Sequence, residues 1–267
     1  MAYLAGIYIY PIKSLDGVAL NSVNLLASGA LQHDREWALF DAEDKFVNGK
    51  NNSKVHSIRT SYDANFQELA LRIAGSDRRE VFNLRELKAI ETWFGDYFGF
   101  PVKLKQNTQT GYPDDLNANG PTVISTATIE TVASWFTNIS VSEMRSRLRA
   151  NLEIGGVPAF WEDRLFASEN SSVPFQIGEV LFEGINPCQR CVVPTRDPLT
   201  GEGDGQFTKR FIAKRRETLP IWTNRDRFNH FYRLSVNTKV GRSQAGRIIR
   251  VGDRVIEAVA KDARMRK

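Results

Sequence analysis

Alternating hydrophobic and polar positions predict strands along most of the chain. The alternation is clearest at residues 3–10, rich in Ile and Tyr, and at residues 34–41. Such two-residue periodicity is typical of half-buried strands. Further segments of this kind are residues 18–26, 69–73, 80–82, 102–105, 122–125 and 232–238. Residues 175–182 and 249–256 are each predicted as a hairpin, two strands joined by a turn at a glycine. The pattern predicts a mostly β (α+β) fold.

Helical periodicity is strongest at residues 84–98, where apolar side chains recur every three or four positions. Asn83 is the predicted N-cap of this helix and Glu86 occupies the capping-box position, while Gly99 ends it. Shorter helices are predicted at residues 126–136, 142–149 and 208–218.

Residues 112–121 are dense in Pro, Gly, Asn and Asp and mark the best candidate for a domain boundary. We therefore predict an N-terminal β domain over residues 1–112 and a second domain over residues 113–267.

Composition indicates a globular protein. The chain has 267 residues, of which 42% are hydrophobic and 25% charged, values that permit a buried core in a soluble protein. The first residues lack a basic segment followed by a long apolar run, and no later stretch has the length of a membrane span. Two cysteines do not make a disulfide framework, so we expect a reducing, cytoplasmic location without membrane association.

Basic residues are concentrated near the C-terminus. The net charge is +5, yet residues 207–267 alone hold 17 Lys and Arg against 5 Asp and Glu. This excess suggests an anionic partner: a phosphorylated cofactor, an acidic electron-transfer protein or nucleic acid. An ordinary solvated basic surface has the same composition. Nucleic acid is the weakest of these options because no motif of an RNA- or DNA-binding module accompanies the charge.

Both cysteines, Cys188 and Cys191, lie in residues 186–201, whose three prolines predict a rigid irregular loop. A structural zinc site needs four ligands, whereas this chain has two cysteines and three scattered histidines. An iron–sulfur cluster held by this chain alone is excluded, and the absence of a βαβ pattern disfavours a thioredoxin-type dithiol. Two interpretations remain open: two buried small side chains, or a thiolate that binds a soft metal and is favoured by Arg190.

The string Pro-Cys-Gln-Arg-Cys-Val-Val-Pro-Thr-Arg-Asp-Pro-Leu-Thr-Gly, residues 187–201, resembles the signature of MOSC-domain proteins, which include the amidoxime-reducing components. Tyr-Pro-Ile-Lys-Ser at residues 10–14 and Asp-Arg-Glu-Trp at residues 34–37 resemble motifs of the N-terminal domain that accompanies many MOSC domains. The resemblance implies an N-terminal β domain followed by a MOSC-type β-barrel with peripheral helices. It also implies a molybdenum–molybdopterin cofactor between them, with the metal bound by Cys191.

The resemblance further indicates which residues contact the cofactor. Lys13 and Ser14 have the chemistry of an anion site, although an ordinary pair of surface residues explains them better when they are considered alone. Ser125 stands at a helix start, where it is equally suited to bind an anion or to cap the helix. The implied cofactor-binding residues are Lys13, Ser14, Arg35, Ser125, Thr126, Arg149, Asn151, Gln189 and Arg190. Asp197 is a candidate proton donor at the catalytic Cys191, although an Asp before Pro198 also suits a turn.

Two functions follow from the resemblance. The first is reduction of a small N-hydroxylated or N-oxide substrate, with electrons from a separate acidic ferredoxin or cytochrome, since this chain lacks the cysteines for its own cluster. The second is sulfur transfer or cofactor handling through a cysteine persulfide. Residues 47–54 depart from the string found in many relatives, and Ala150 replaces a common proline.

Overall fold

The computed structural model of the protein describes residues 1–257, and β-structure predominates in it. Strands account for 31% of the structure and helices for 23%. The strand content exceeds the level of about 20–25% usual in globular proteins. The predicted mostly β fold is therefore confirmed.

Fifteen strands and four α-helices are formed in residues 1–257. The strands are β1 (Tyr3–Ile9), β2 (Val18–Leu20), β3 (Ser22–Asn24), β4 (Trp37–Phe40), β5 (Ile58–Tyr62), β6 (Glu68–Ile73), β7 (Arg79–Asn83), β8 (Lys103–Gln106), β9 (Val123–Ser125), β10 (Leu152–Gly155), β11 (Val173–Ile177), β12 (Val180–Gln189), β13 (Arg233–Val240), β14 (Ile248–Arg250) and β15 (Val255–Glu257). The helices are α1 (Leu87–Phe98), α2 (Thr126–Ser134), α3 (Val141–Leu148) and α4 (Phe207–Glu217).

The largest sheet has eight strands in the order β15-β11-β12-β13-β9-β10-β1-β2. Within residues 1–257 its ladder does not close into a barrel, yet its far end approaches β1 through an isolated bridge between Tyr3 and Arg254. The backbone N–H of Leu4 also donates to the carbonyl of Asp253 at 2.8 Å. Inward-facing apolar residues of these strands, such as Phe175 and Phe182, form one buried core. The N-terminal strand β1 thus completes a sheet built mostly from the second half of the chain.

Two further cores flank this sheet. Helix α1 packs its buried residues Ile90, Phe94 and Phe98 in a core shared with β4, β6 and β8. Helices α2, α3 and α4 enclose the third core, in which Phe136 stacks on Phe207 with ring centroids 4.5 Å apart. The boundary between residues 112 and 113 stays a prediction.

Helix starts and ends follow the sequence only in part. Gly99 has φ 84° and ends α1 in the left-handed conformation, as predicted. The capping box is wrong: α1 begins at Leu87, Glu86 makes no side-chain cap, and Asn83 ends β7. The Asn83 side chain instead accepts from the backbone N–H of Arg85 at 2.9 Å, a local turn that competes with helix capping.

Three strand predictions need correction. Only Trp37–Phe40 of residues 34–41 is a strand, because Arg35 has φ 52° and turns the chain beside β1. The predicted loop at residues 186–201 begins as strand, since β12 continues through Pro187 to Gln189. Residues 249–256 are not one hairpin: β14 pairs with β3, whereas β15 pairs with β11.

None of the helices in the described part of the chain is both long and apolar enough to cross a bilayer.

A fully buried ion pair links α4 to the rest of the molecule. The Arg215 side chain is 0% exposed and that of Asp163 is 3% exposed, and a nitrogen of the guanidinium lies 2.5 Å from a carboxylate oxygen. The guanidinium also lies 4.4 Å from the ring centroid of Phe160, and Thr223 donates to Asp163 at 2.8 Å.

Replacement of Arg215 by alanine leaves the Asp163 charge buried and unpaired. We expect the free energy of unfolding to fall by about 3–5 kcal/mol, as for other broken buried pairs. Urea denaturation of Arg215→Ala against Lys214→Ala measures this. Lys214 forms an exposed pair with Glu217, so its loss should cost less than about 1 kcal/mol. An equal decrease in the free energy of unfolding in the two variants would show that the buried pair stabilises the protein no more than the exposed one.

Candidate functional site

A cavity of about 780 Å³ opens where the end of β1, the α3–β10 turn and the end of β12 meet. We call it the cysteine cavity because both cysteines line it. Its volume lies within the range of about 300–1,000 Å³ typical of cofactor and ligand sites.

The cavity brings together most of the residues selected from the sequence. Eight predicted site residues line it: Lys13, Ser14, Arg35, Arg149, Asn151, Gln189, Arg190 and Cys191. Ser125, Thr126 and Asp197 do not line it. Residues distant in the chain are thus placed around one space by β1, α3, β10 and β12.

Positive charge dominates the walls. The cationic lining residues are Lys13, Arg35, Lys50, Arg149, Arg190 and Arg233, whereas the anionic ones are Asp114 and Asp115. Low-dielectric walls with an excess of one sign concentrate ligands of the opposite sign. The site is therefore suited to a polyanionic ligand.

Lys13 and Lys50 share one carboxylate. The Lys13 ammonium, on a side chain only 8% exposed, donates to Asp114 at 2.9 Å and to the carbonyl of Tyr112 at 2.8 Å. Lys50 reaches the same oxygen of Asp114 at 3.0 Å. Burial alone would raise the pKa of Asp114, but the charges of Lys13 and Arg35 hold it well below its ordinary value. Asp114, whose side chain is 54% exposed, thus remains ionised beside the two ammonium groups.

Arg35 and Asn151 connect the N-terminal strand to β10. The Arg35 guanidinium pairs with Asp34, which accepts the backbone N–H of Tyr10 at 2.9 Å. The Asn151 side chain is 1% exposed, donates to the carbonyl of Tyr8 at 3.0 Å and accepts from the backbone N–H of Thr122 at 3.2 Å. Asn151 therefore links β1 to the segment before β9, and it also lines the cavity.

Unusual backbone conformations cluster around the cavity. Ser14 has φ 72°, Arg35 and Arg149 have φ 52°, and Ser235, which lies 3.5 Å from Arg190, has φ 63°. Residues other than glycine adopt this left-handed region rarely and at an energetic cost, and they concentrate at functional sites. The turn at Arg149 ends α3 and aims its guanidinium over the ring of Tyr10, 4.0 Å from the centroid.

A β-bulge presents the two thiols. The register between β12 and β13 shifts between Pro187 and Gln189, a local distortion that re-aims side chains. Cys188 and Cys191 are free and half-buried. Arg190 lies between them, donates to the carbonyl of Leu148 at 2.6 Å and contacts the Cys188 sulfur at 3.4 Å.

Ser125 and Thr126 have structural positions. The Ser125 side chain is 0% exposed and caps α2 by accepting from the backbone N–H of Thr128 at 3.1 Å. Glu162, buried below it, accepts from the Thr128 hydroxyl at 3.0 Å and from the Ser125 N–H at 3.2 Å. Thr126 is the first residue of α2 and does not reach the cavity. The contact with a cofactor expected for both residues is therefore not supported.

Asp197 forms a turn, the second of its two predicted roles. One of its oxygens accepts the backbone N–H groups of Leu199 and Thr200, each at 2.8 Å. Partial burial would raise the pKa of Asp197, but these hydrogen bonds outweigh that effect and lower it. A carboxyl group with a lowered pKa is ionised at neutral pH, which does not suit a proton donor.

Several lining residues were not selected from the sequence: Lys50, Asp114, Asn186, Arg233 and Asn237. Asp114 lies in the stretch interpreted as a linker, where Asp is expected for turn formation alone. Asn186 directly precedes the cysteine motif, and this position is the one feature of the sequence that could have identified it as a site residue.

The cavity fits a phosphorylated cofactor that brings most of its own metal ligands. In residues 1–257 no three His, Cys, Asp or Glu side chains are grouped as a metal site. The buried Nε of Arg190 and the buried Oδ1 of Asn186 have no hydrogen-bond partner in the part of the chain that the structure describes. Buried polar atoms normally have one, so a ligand with donors and acceptors would complete these two walls.

The buried Glu162 makes stability depend on pH. Burial, and then the neighbouring Asp163 charge, raise the pKa of Glu162 from 4.5 to about 7. Between these values the folded protein binds more protons than the unfolded chain, so stability falls as pH rises through this interval.

Glu162→Gln should remove this loss of stability with rising pH. In the wild type we expect the free energy of unfolding to decrease by on the order of 3 kcal/mol from pH 5 to pH 8 through this group. Urea denaturation at both pH values, with exposed Glu179→Gln as the control, measures it. The same decrease in Glu162→Gln as in wild type would contradict the role of Glu162.

Comparison with known proteins gives distant relatives of one kind. A molybdenum cofactor sulfurase of Oryza sativa subsp. japonica is 25% identical over 238 residues, which cover 71% of this chain and 28% of the relative. That of Solanum lycopersicum is 24% identical over 300 residues, which cover 95% of this chain and 35% of the relative. The chain thus spans about a third of the length of these curated relatives.

Two family models cover nearly the whole chain. The MOSC N-terminal beta barrel domain matches residues 1–140, and the MOSC domain matches residues 121–256. Each model covers more than half of the 267 residues. The chain therefore belongs to the family of MOSC-domain proteins that carry the MOSC N-terminal domain.

Proposed function

We propose that the cysteine cavity binds a molybdenum–molybdopterin cofactor and that the protein is a molybdenum-dependent oxidoreductase. The observation that carries this proposal is the meeting of two thiols with six cationic side chains in one cavity. A thiolate is a suitable ligand for a soft metal, and the cations suit the phosphate of the pterin. The kinship with molybdenum cofactor sulfurases supports the choice of cofactor.

The cations divide the work of binding. Lys13 and Lys50 offer ammonium groups to a phosphate, which would replace or share the Asp114 carboxylate that they contact without a ligand. Arg149 and Arg190 are fixed by carbonyl contacts to Leu15 and Leu148, so their remaining N–H groups are pre-oriented. Prior orientation lowers the entropy cost of binding. Gln189 and Asn151 complete the wall as neutral hydrogen-bonding groups.

Cys191 is the proposed metal ligand. When bound, the cofactor supplies two-electron chemistry, and the protein provides binding, orientation and electrostatics. The cationic side chains of the cavity surround Cys191 with positive charge. Lys50 contributes to that charge: burial would lower its pKa, but Asp114 and the two cysteines raise it, so its Nζ keeps the proton at neutral pH.

The proposed reaction is reduction of a small N-hydroxylated or N-oxide compound with electrons from a separate redox protein. Helix α4 offers a docking surface for an acidic ferredoxin or cytochrome. It begins shortly after the cysteine segment and exposes Lys209, Arg210, Lys214 and Arg216. Complementary charge of this kind accelerates association. The two free thiols are consistent with a reducing compartment, which we propose to be the cytoplasm.

Sulfur transfer is a second candidate. It is favoured by the name of the relatives, molybdenum cofactor sulfurase, and by the placement of Cys188 and Cys191 in one cavity. In this case a cysteine would receive sulfur as a persulfide from a separate donor and pass it to a thiophilic acceptor. Release of thiocyanate from persulfidated protein treated with cyanide, without reductase activity, would favour this function.

Molybdenum analysis of protein from a host that makes the cofactor tests the proposal. We expect about one molybdenum per chain in the wild type. Cys191→Ser should lose the metal and the reduction of N-hydroxylated compounds, because serine is a poor ligand for a soft metal. Cys188→Ser is the matched control, since it removes a thiol from the same cavity, and it should keep both.

Wild-type activity in Cys191→Ser would contradict the assignment of the ligand. Absence of molybdenum from wild-type protein of a competent host would contradict the oxidoreductase and leave sulfur transfer as the better account.

A further inference from the structure

A second cavity of about 260 Å³ adjoins the cysteine cavity, and Ser14, Arg149 and Val193 line both. We call it the arginine pocket. Five arginines line it: Arg59, Arg145, Arg147, Arg149 and Arg196. The opposing charge in the lining is the single carboxylate of Asp16.

Three of these arginines are neutralised by nearby carboxylates. Arg59 pairs with Asp16 at 3.0 Å. The pairs Arg145–Glu153 and Arg147–Glu143 are each 2.7 Å long.

The other two are not neutralised. Within residues 1–257, Arg149 and Arg196 form no ion pair with a carboxylate. Arg149 stacks on Tyr10, and Arg196 donates to the carbonyl of Gly201 at 3.2 Å. The pocket therefore keeps an excess positive charge that neutral contacts do not offset.

Two buried N–H groups in this region also lack acceptors. The Nε atoms of Arg59 and Arg196 are shielded from solvent and have no hydrogen-bond partner among residues 1–257. An unsatisfied buried group of this kind destabilises the folded protein, and more so when it is charged. Because these atoms are shielded, a ligand in the pocket reaches them only after the side chains move, whereas an oxyanion directly offsets the excess charge of Arg149 and Arg196.

The pocket is held in place before any ligand binds. Arg147 donates to the carbonyl of Pro194 at 3.0 Å, and Arg59 donates to the carbonyl of Pro198 at 2.9 Å. Both carbonyls belong to the segment that follows Cys191. The guanidinium groups are thus oriented by the same segment that positions the thiol.

We propose that the arginine pocket binds a small oxyanion, a phosphate or carboxylate group, distinct from the phosphate of the cofactor. The volume suits a group of a few atoms rather than a pterin. Lys13 and Lys50, the proposed phosphate contacts of the cofactor, line only the larger cavity. Guanidinium groups bind such oxyanions by paired, charge-assisted hydrogen bonds.

His56 provides a local reporter. It lines the arginine pocket but not the cysteine cavity, and the chain has only two other histidines, His33 and His230. Burial, together with the charges of Arg149, Arg196 and Arg59, lowers the pKa of His56, while a contact with the carbonyl of Gly49 opposes this. A bound anion should raise that pKa by offsetting the arginine charges.

The test is a titration of the full chain without cofactor by inorganic phosphate, followed through the histidine ring resonances in NMR spectra. We expect the His56 resonances to shift to saturation while those of His33 and His230 stay in place. Chloride at equal ionic strength should leave all three unchanged, and acetate tests a carboxylate in the same way. Arg196→Gln should weaken phosphate binding at least tenfold, because it removes one charge-assisted donor.

Two variants serve as controls. Arg79→Gln removes an equal charge from the exposed strand β7 and should retain the affinity. Lys50→Gln alters only the larger cavity and should also retain it. Circular dichroism and the melting temperature verify that all variants fold.

Three results would overturn the proposal. They are a His56 shift that does not saturate or that chloride reproduces, equal affinity in Arg196→Gln and wild type, and loss of affinity in Lys50→Gln. In protein loaded with the cofactor we expect phosphate binding to persist. Loss of phosphate binding in the loaded protein would show that the cofactor occupies the arginine pocket, which contradicts a separate site. If the protein cannot be loaded with the cofactor, the phosphate titration of the cofactor-free chain still tests the pocket.

Discussion

The site depends on the hydrogen bonds of the buried Asn151 amide. It joins β1 through the carbonyl of Tyr8 and the start of β9 through Thr122, and it lies 3.4 Å from Arg35. An amide can make these contacts at once because it carries both donors and acceptors. Since β1 comes from the beginning of the chain and β10 from its middle, this contact helps to fix the cavity between segments distant in sequence.

Strained backbone conformations and positive charge occur together around the cavity. Left-handed residues at Ser14, Arg35 and Arg149 turn three segments toward the cavity. Buried cations there have few carboxylates to balance them, and burial lowers the pKa of Lys13 and Arg149. Folding stability does not explain such an arrangement, because an excess of partly buried positive charge opposes folding even where single cations are paired. We propose that it serves the binding of anionic ligands, a large one in the cysteine cavity and a small one in the arginine pocket.

Many residues of this site could be predicted from the sequence because they belong to short motifs. Lys13, Arg35, Arg149 and Cys191 were identified from strings whose residue types already suited an anion or a metal, and all of them line the cavity. Periodicity likewise located α1, where burial of one face is a local property.

Other features depend on tertiary contacts that no local pattern records. Ser125 has the signature of both a cofactor contact and a helix cap, and only the buried Glu162 beside it selects the cap. Asp114 was hidden in a segment with the composition of a linker. The strand through Pro187 was missed because proline lacks a ladder donor, and the adjacent bulge that accommodates it depends on the pairing with β13.

The most direct test of the central claim is an anomalous-scattering measurement at the molybdenum edge on crystals of the cofactor-loaded protein. We expect one molybdenum peak in the cysteine cavity, beside the sulfur of Cys191 and on the same side as Arg190. A peak elsewhere in the molecule, or a fully loaded protein whose metal has no contact with Cys191, would contradict it.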